Sequence, residues 1–488
     1  MSEQRKLQRI KAGYLPGLGD EEVQWQTLDF ESRDGQVLEV SVPVLTAPQM
    51  QALACRVRKA AAIHLRPMPV AEIIDAVDRA MARLLDRNDI YRQQAEAWLP
   101  VVSGYDADMV RLGLTGFFKT FRAAQLKRFV AEDFANPAVL DGFQPAAKGG
   151  AVRAFGPDLL VHSWAGNVPA LSLWSLVCGL LVKAPAIGKL ASAEPLFAGW
   201  FARLLAEVHP PLADCLAVVW WRGAGGEEAD ALYAQADTVL AYGGNQTLDA
   251  LRRRLPVTTR FLPHGHKLGF GLIGAQALDT LKAPGMARLA AWDVMRYDQQ
   301  GCYSPHVFYV QRGAPVSPRA FADYLAAELA NLQRRFARRE LDLEEGAALA
   351  RWQQNMEWGG DAHQLLGPVD APWSVAYSES LQPLVPTALY RTIAVVAVDR
   401  LDAVLPVVAA QRDYLQTAGI AASPEELYRL AGLLGAVGVT RISAIGSMSM
   451  PEAGWHHDGR FNLLDLVRMT EIEQSAELAA QPLASYAD

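Results

Sequence analysis

The chain has 488 residues, 51% apolar and 20% charged, with a formal net charge of −7 at pH 7. That length supports two or three domains or one large multi-layer unit, and the composition is that of a soluble globular protein. The acidic balance, with basic runs no longer than Arg252-Arg253-Arg254, excludes nucleic acid as a main partner.

Four cysteines (Cys55, Cys178, Cys215 and Cys302) are widely spaced and form no CxxC pair. The pattern fits a reducing compartment and supplies neither a disulfide framework nor a zinc knuckle. The first residues, Met1 to Lys6, lack the apolar core of a signal peptide. The apolar stretch Val168–Val182 is interrupted by Pro169 and Gly179. It falls short of the roughly 20 residues a membrane span requires. A cytoplasmic protein without a membrane span is expected.

In chain order, residues 24–43 alternate apolar and polar around Asp34-Gly35, which predicts a β-hairpin. From Ala47 to about Asp133 the spacing is helical, as in Ala71–Leu85 and Asp106–Phe121. After Gly149-Gly150, short β-rich runs alternate with amphipathic segments. Strands are predicted at Leu159–His162, Ala186–Lys189, Leu216–Trp221 and Thr238–Tyr242. Helices are predicted at Leu171–Leu181, Pro195–Glu207, Glu227–Ala236 and Gln246–Arg254. Such alternation predicts an α/β fold, a parallel sheet with helices on both faces and ligands beyond the carboxyl ends of the strands. A second alternating region runs from about Leu268 to Ala444. The expected divisions are an N-terminal β-hairpin extension (1–48), a helical region with a Rossmann-like cofactor domain (49–266), a catalytic domain (267–445) and a C-terminal return segment (446–488).

The second region contains Asp298-Gln-Gln-Gly-Cys302-Tyr-Ser-Pro-His306, a thiol in a polar turn just before the apolar run Val307–Val310. A nucleophile held by rigid structure on one side is a common catalytic arrangement. Ser163-Trp164-Ala165-Gly166-Asn167-Val168-Pro169 follows a strand and presents the Asn167 amide, a possible oxyanion donor or an ordinary turn residue. Lys189, with Ser192 and Glu194 beyond it, ends another strand and suits a ribose or phosphate, or is a plain surface lysine. Gly243-Gly244 opens a helix, as an anion site or a tight turn. Gly269-Phe-Gly-Leu-Ile-Gly274 matches GxGxxG but reads as a strand, and its glycines as packing positions. His264, His266, His456 and His457 lack the i,i+4 spacing and acidic company of a metal site, so no metal is expected.

Together these pieces resemble the aldehyde dehydrogenase superfamily. More closely they resemble the acyl-CoA reductase family that includes the long-chain fatty acyl-CoA reductase of bacterial luminescence. The resemblance covers roughly residues 40–475 and rests on Gly166-Asn-Val-Pro169, Lys189 with Pro195, Gly243-Gly244 and His264-Gly-His-Lys267. Gln300-Gly-Cys302, Arg391-Thr392, Leu415-Gln-Thr417 and His457-Asp-Gly-Arg460 complete it. It implies a Rossmann-type cofactor domain beside an α/β catalytic domain. Cys302 would accept the acyl group, and Asn167 with the Cys302 backbone amide would form the oxyanion hole. Ser163, Trp164, Lys189, Ser192, Gly243 and Gly244 would bind the cofactor, and His306 or His457 would assist. A homo-oligomer is also implied, along with an association with an acyl-activating or aldehyde-consuming enzyme.

Two departures refine the expectation. Oxidising relatives carry a water-activating Glu in a Leu-Glu-Leu-Gly-Gly-Lys segment, where this chain has Pro263 in Leu262-Pro-His-Gly-His-Lys267. Without that base the acyl-enzyme resists hydrolysis, which suits a reductase releasing CoA. NAD-preferring relatives often place a Glu at the position of Ser192, so NADPH is expected, and Glu194 would oppose that preference if it turned inward. The expected reaction is NADPH-dependent reduction of a fatty acyl-CoA to the aldehyde through an acyl-cysteine. The alternatives are an aldehyde-oxidising dehydrogenase and a non-catalytic assembly partner of the same fold.

Overall fold

A computed structural model describes residues 7–32, 35–358 and 363–484. Met1–Lys6 and Asp34 of the expected hairpin turn lie outside the described residues. Strands Gln24–Glu31 and Val37–Val44 pair antiparallel as the alternation predicted. The N-terminal part is nevertheless more than a hairpin, because Leu7–Lys11 adds a third strand parallel to Val37–Val44. That edge strand reads Leu-Gln-Arg-Ile-Lys and is almost wholly exposed, so it has no buried face to imprint a pattern.

Thr46 caps the first helix, Ala47–Ala60, in a capping box with Gln49. Helices Val70–Leu85, Ile90–Ser103, Ala107–Lys119 and Ala123–Asp133 follow. Ile73, Ile74, Val77, Ala80, Met81 and Leu84 line the buried face of the helix 70–85 at 3–4-residue spacing. Each large side chain buried this way contributes about 1.5–3 kcal/mol. Phe118 and Phe121 are fully buried in the same core. They belong to the packing and not to a substrate channel.

The first large sheet is entirely parallel, in the order 260–264, 238–242, 160–163, 186–189, 216–219. The chain moves outward through 160, 186 and 216, then returns to the other side at 238. Its topological switch point therefore lies between Leu160–Ser163 and Thr238–Tyr242, where such sheets open a ligand crevice. The edge strand Arg260–His264 is absent from the sequence reading because Pro263 argues against a strand. At an edge, proline sacrifices no ladder hydrogen bond.

The second sheet runs in the order 364–366, 374–378, 392–398, 305–311, 268–273, 415–421, 441–444. It is parallel except for its first strand. A small antiparallel sheet joins Arg468–Ile472 from the C-terminal part to Ala151–Phe155. No helix among the described residues is long and apolar enough to cross a membrane.

Candidate active site

Cys302 is half-buried in the loop that enters the central strand Pro305–Gln311. Just before it, Tyr297, Asp298 and Gln299 adopt φ of 48°, 48° and 63°. Each such left-handed non-glycine residue costs on the order of 1–2 kcal/mol. A second left-handed run, Leu389, Tyr390 and Arg391, has φ of 66°, 54° and 69°. The two runs are fastened together. Arg391 Nε donates to Asp298 Oδ1 at 2.7 Å, and the Tyr390 N–H donates to the Asp298 carbonyl at 3.0 Å. Gln299 Nε2 donates to the Thr392 carbonyl and its Oε1 accepts from the Thr392 N–H, both at 2.8 Å. These bonds hold a conformation that the local chain disfavours, which fixes where the thiol stands.

Gly269 supports the loop from the neighbouring strand. A Cβ there would lie 2.6 Å from the Ser304 carbonyl oxygen and 2.8 Å from that of Tyr303. The GxGxxG match is thus a strand whose first glycine admits the backbone of the thiol loop. Gly269→Ala is expected to cut the rate of Cys302 modification by iodoacetamide at least about tenfold, because backbone must move. Peptide mass spectrometry checks it, and an unchanged rate would refute the contact's role.

The sulfur faces a chain of polar groups. Gln416 Nε2 donates to Cys302 Sγ at 3.4 Å and to Asp458 Oδ1 at 2.7 Å. Asp458 Oδ2 lies 2.8 Å from His264 Nδ1. The His264 ring stacks on His457 at 4.2 Å and on Tyr242 at 4.9 Å. Burial alone would raise the Asp458 carboxyl, but the hydrogen bonds from His264 and Gln416 and the adjacent histidines together hold it well below the usual carboxylate range. Burial, then the Asp458 charge, pushes the Cys302 thiol up to about 11. His264, His457 and Asp458 also bring metal-type donor atoms within 4.8 Å of one another. Both Asp458 oxygens are engaged by protein groups, and the two imidazoles lie face to face, so hydrogen bonding and stacking account for the cluster.

Beyond the end of the strand Leu160–Ser163, the Asn167 amide donates to the Gln300 carbonyl at 2.6 Å, two residues from Cys302. Tyr105 steadies the Asn167 loop by donating to its carbonyl at 2.7 Å. Lys189 ends its strand largely buried, with no ion-pair partner among the described residues, and burial lowers its pKa. Ser192 is exposed and its hydroxyl accepts from the Trp220 indole at 3.1 Å. Glu194 has not turned toward the crevice: its Oε1 accepts the N–H groups of Leu196 and Phe197 at 2.9 Å, capping the helix Phe197–Val208. Gly243 and Gly244 lie open at the start of the helix Asn245–Arg252, and a Cβ on Gly244 would meet nothing within 4 Å. A free lysine, a bare serine and an open helix N-terminus suit the ribose and phosphates of a nicotinamide dinucleotide.

The sequence profile of the family described as acyl-CoA reductase (LuxC) matches residues 65–469. The chain belongs to this acyl-CoA reductase family. It is 28% identical over 346 residues to a long-chain acyl-protein thioester reductase from Photorhabdus luminescens, covering 68% of this chain and 67% of that protein. Over 413 residues it is 24% identical to one from Aliivibrio fischeri, covering 82% and 80%. Its fold is shared with an indole-3-acetaldehyde dehydrogenase complexed with NAD+ (TM-score 0.73, 13% identity, covering 95% of this chain and 96% of that one). It is also shared with an NADP-dependent glyceraldehyde-3-phosphate dehydrogenase from Bacillus halodurans (TM-score 0.69, 14% identity, covering 92% and 96%).

In this acyl-CoA reductase family member, the surroundings of three expected site residues bear on the roles they can take. His306 is buried and its Nδ1 accepts the Thr387 N–H at 3.0 Å. Burial pushes its pKa down to about 3, so it is neutral. His457 does sit in the site, yet burial first and then His264 hold it near 3 as well. It is therefore no proton donor at neutral pH. Trp164 is buried, with its indole donating to Ser175 and its ring filling the space over Gly188. Its indole is thereby committed to packing, whereas Ser163 beside it is only partly buried. Sequence reasoning missed the Gln416–Asp458–His264 chain, because those residues come from three segments that share no spacing.

Proposed function

We propose that this chain reduces an acyl thioester to the corresponding aldehyde with NADPH, carrying the acyl group on Cys302. The observation that carries the reading is the pairing of an N–H donor, Gln416, with the sulfur while no free carboxylate base among the described residues is bonded to it. Pro263 occupies the position where oxidising relatives place a Glu, and it lines a cleft of about 340 Å³ with Gly265, Lys267 and Asp458. Asp458 is a carboxylate near the sulfur, but both oxygens are engaged and its lowered pKa makes it a weak base. Water is poorly activated, and the acyl-enzyme survives until it is reduced.

Cys302 Sγ attacks the thioester carbonyl, and the carrier thiol leaves. The developing oxyanion takes hydrogen bonds from Asn167 Nδ2 and the Cys302 backbone N–H, which requires Asn167 to release the Gln300 carbonyl. A donor of this kind lowers the barrier by about 2.7–4 kcal/mol. Lys189, Ser192 and the Gly243-Gly244 helix start hold the dinucleotide, which supplies hydride when bound. Asn167 and Cys302 orient the acyl carbon between them, and Gln416 N–H stabilises the sulfur each time it carries charge.

The wild-type protein, given a fatty acyl-CoA or a fatty acylated protein together with NADPH, should consume NADPH and release aldehyde and one free thiol per turnover. Carboxylic acid as the product, or an acyl adduct mapped away from Cys302, would overturn the reading. The relatives' names, acyl-CoA reductase and acyl-protein thioester reductase, make both thioesters necessary arms of the experiment.

The cofactor preference has its own test. Ser192 is exposed beside Lys189, and Glu194 is committed to its helix cap, so no carboxylate repels a 2′-phosphate there. Ser192→Glu is expected to move the NADPH-to-NADH ratio of kcat/KM toward NADH by at least about tenfold, the effect of 1.4 kcal/mol. An unchanged ratio would show that Ser192 does not face the 2′ position.

A further inference from the structure

Gln416 is fully buried, and three bonds settle which way its amide points. One N–H goes to Asp458 Oδ1 at 2.7 Å, and Nε2 also faces Cys302 Sγ at 3.4 Å. The Thr417 hydroxyl donates to Oε1 at 3.2 Å. A flipped amide would set its oxygen against the Asp458 carboxylate, so the carboxylate locks the donor on the sulfur. Asp458 is itself fixed by His264, which the ionised carboxylate requires to carry its proton on Nδ1.

We propose that Gln416 is a catalytic residue that donates to the Cys302 sulfur as charge forms on it, and that Asp458 is a positioning residue that aims this donor while its own charge opposes free thiolate. The proposal rests on Cys302 being the acyl carrier. The two effects act on opposite sides of the thiol equilibrium. The N–H favours the thiolate, and the carboxylate disfavours it. The remaining groups that face the sulfur are the guanidinium of Arg441, which favours thiolate, and the phenols of Tyr242 and Tyr303. Arg441 is largely committed elsewhere, donating to the Met448 carbonyl at 2.6 Å and the Ser447 carbonyl at 3.1 Å.

Such a pairing suits a sulfur that must leave as well as attack. When the reduced adduct collapses, its C–S bond breaks and the electron pair goes to Cys302 Sγ. The alkoxide pair reforms the aldehyde carbonyl, and the thiolate takes a proton from solvent. The Gln416 N–H assists departure. The Asp458 charge then favours reprotonation, so that the thiolate does not add back to the aldehyde.

The test is the pH profile of Cys302 alkylation by iodoacetamide in the full chain, read peptide by peptide by mass spectrometry. It needs neither acyl thioester nor NADPH, so its outcome is independent of whether the proposed reaction is correct. In the wild type the rate should climb about tenfold per pH unit from 7 to 10 without a plateau. Gln416→Met should slow alkylation at pH 9 at least threefold, and Asp458→Asn, which keeps an acceptor for the amide but removes the charge, should speed it at pH 8 at least threefold. Cys178 and Cys215 are buried and report the fold in the same spectrum. If Gln416→Met exposes them, Gln416→Glu takes its place with the same expected slowing. Opposite shifts support the proposal. Shifts in the same direction, or no shift in either variant, would overturn it.

Discussion

Cys302→Ala is expected to abolish NADPH-dependent reduction of acyl thioesters, by at least about 10⁴-fold, while the protein still folds and still binds NADPH. The magnitude follows from the covalent route: without the sulfur there is no acyl-enzyme, and the neighbouring groups do not replace it. Gln416 and Asn167 stabilise charge but attack nothing. Cys55, the exposed thiol, belongs to the helix Ala47–Ala60 and not to the site. Cofactor binding should persist, because Lys189, Ser192 and the Gly243-Gly244 turn belong to the first sheet and its loops, and Cys302 to a loop of the second. Absorbance of NADPH with acyl thioester measures the first part, and quenching of protein fluorescence by NADPH the second. NADPH oxidation that survives the substitution would sink the covalent mechanism.

Arg391→Leu should produce the largest loss of stability. Its partner Asp298 is 0% exposed at the side chain, and the guanidinium 1%. Stripping one member from such a pair leaves a buried charge uncompensated and typically costs about 3–5 kcal/mol. Here the loss also releases two left-handed runs that the ion pair fastens together, and with them the path of the chain into Cys302. The apparent thermal midpoint should fall by several degrees or more, and Cys302 alkylation should lose its dependence on Gln416. Asp298→Asn/Arg391→Leu should be less destabilised than the sum of the single variants, since the unpaired charge is gone. Strict additivity would show that the pair does not act as a unit.

The candidate thiol segment stands out in the sequence because the signal is local. A thiol in a polar turn before Val307–Val310 marks itself, as do Asn167, Lys189 and Gly243-Gly244 at the ends of β-rich runs. The alternation of strands and helices between residues 159 and 254 also reproduces the observed elements within a few residues, because half-buried helices and buried strands imprint their own periods. The edge strands Leu7–Lys11 and Arg260–His264 escaped, one for want of a buried face and the other because Pro263 reads as a breaker. The surroundings of His306 and His457 escaped the sequence for a different reason. Histidine type says nothing about burial, and burial is what keeps both rings neutral.

By itself the sequence determined the α/β class, the order of the elements and the family, since these rest on short-range periodicity and on motifs that each lie within a few residues. Only the tertiary structure decided how the thiol is held and charged. The groups that touch Cys302 or its loop come from residues 167, 269, 298, 391, 416 and 458, which lie far apart in the sequence and meet only in the folded chain. Hydrogen-bond direction, desolvation and the clamp of left-handed residues are properties of that meeting, and no spacing along the chain encodes them.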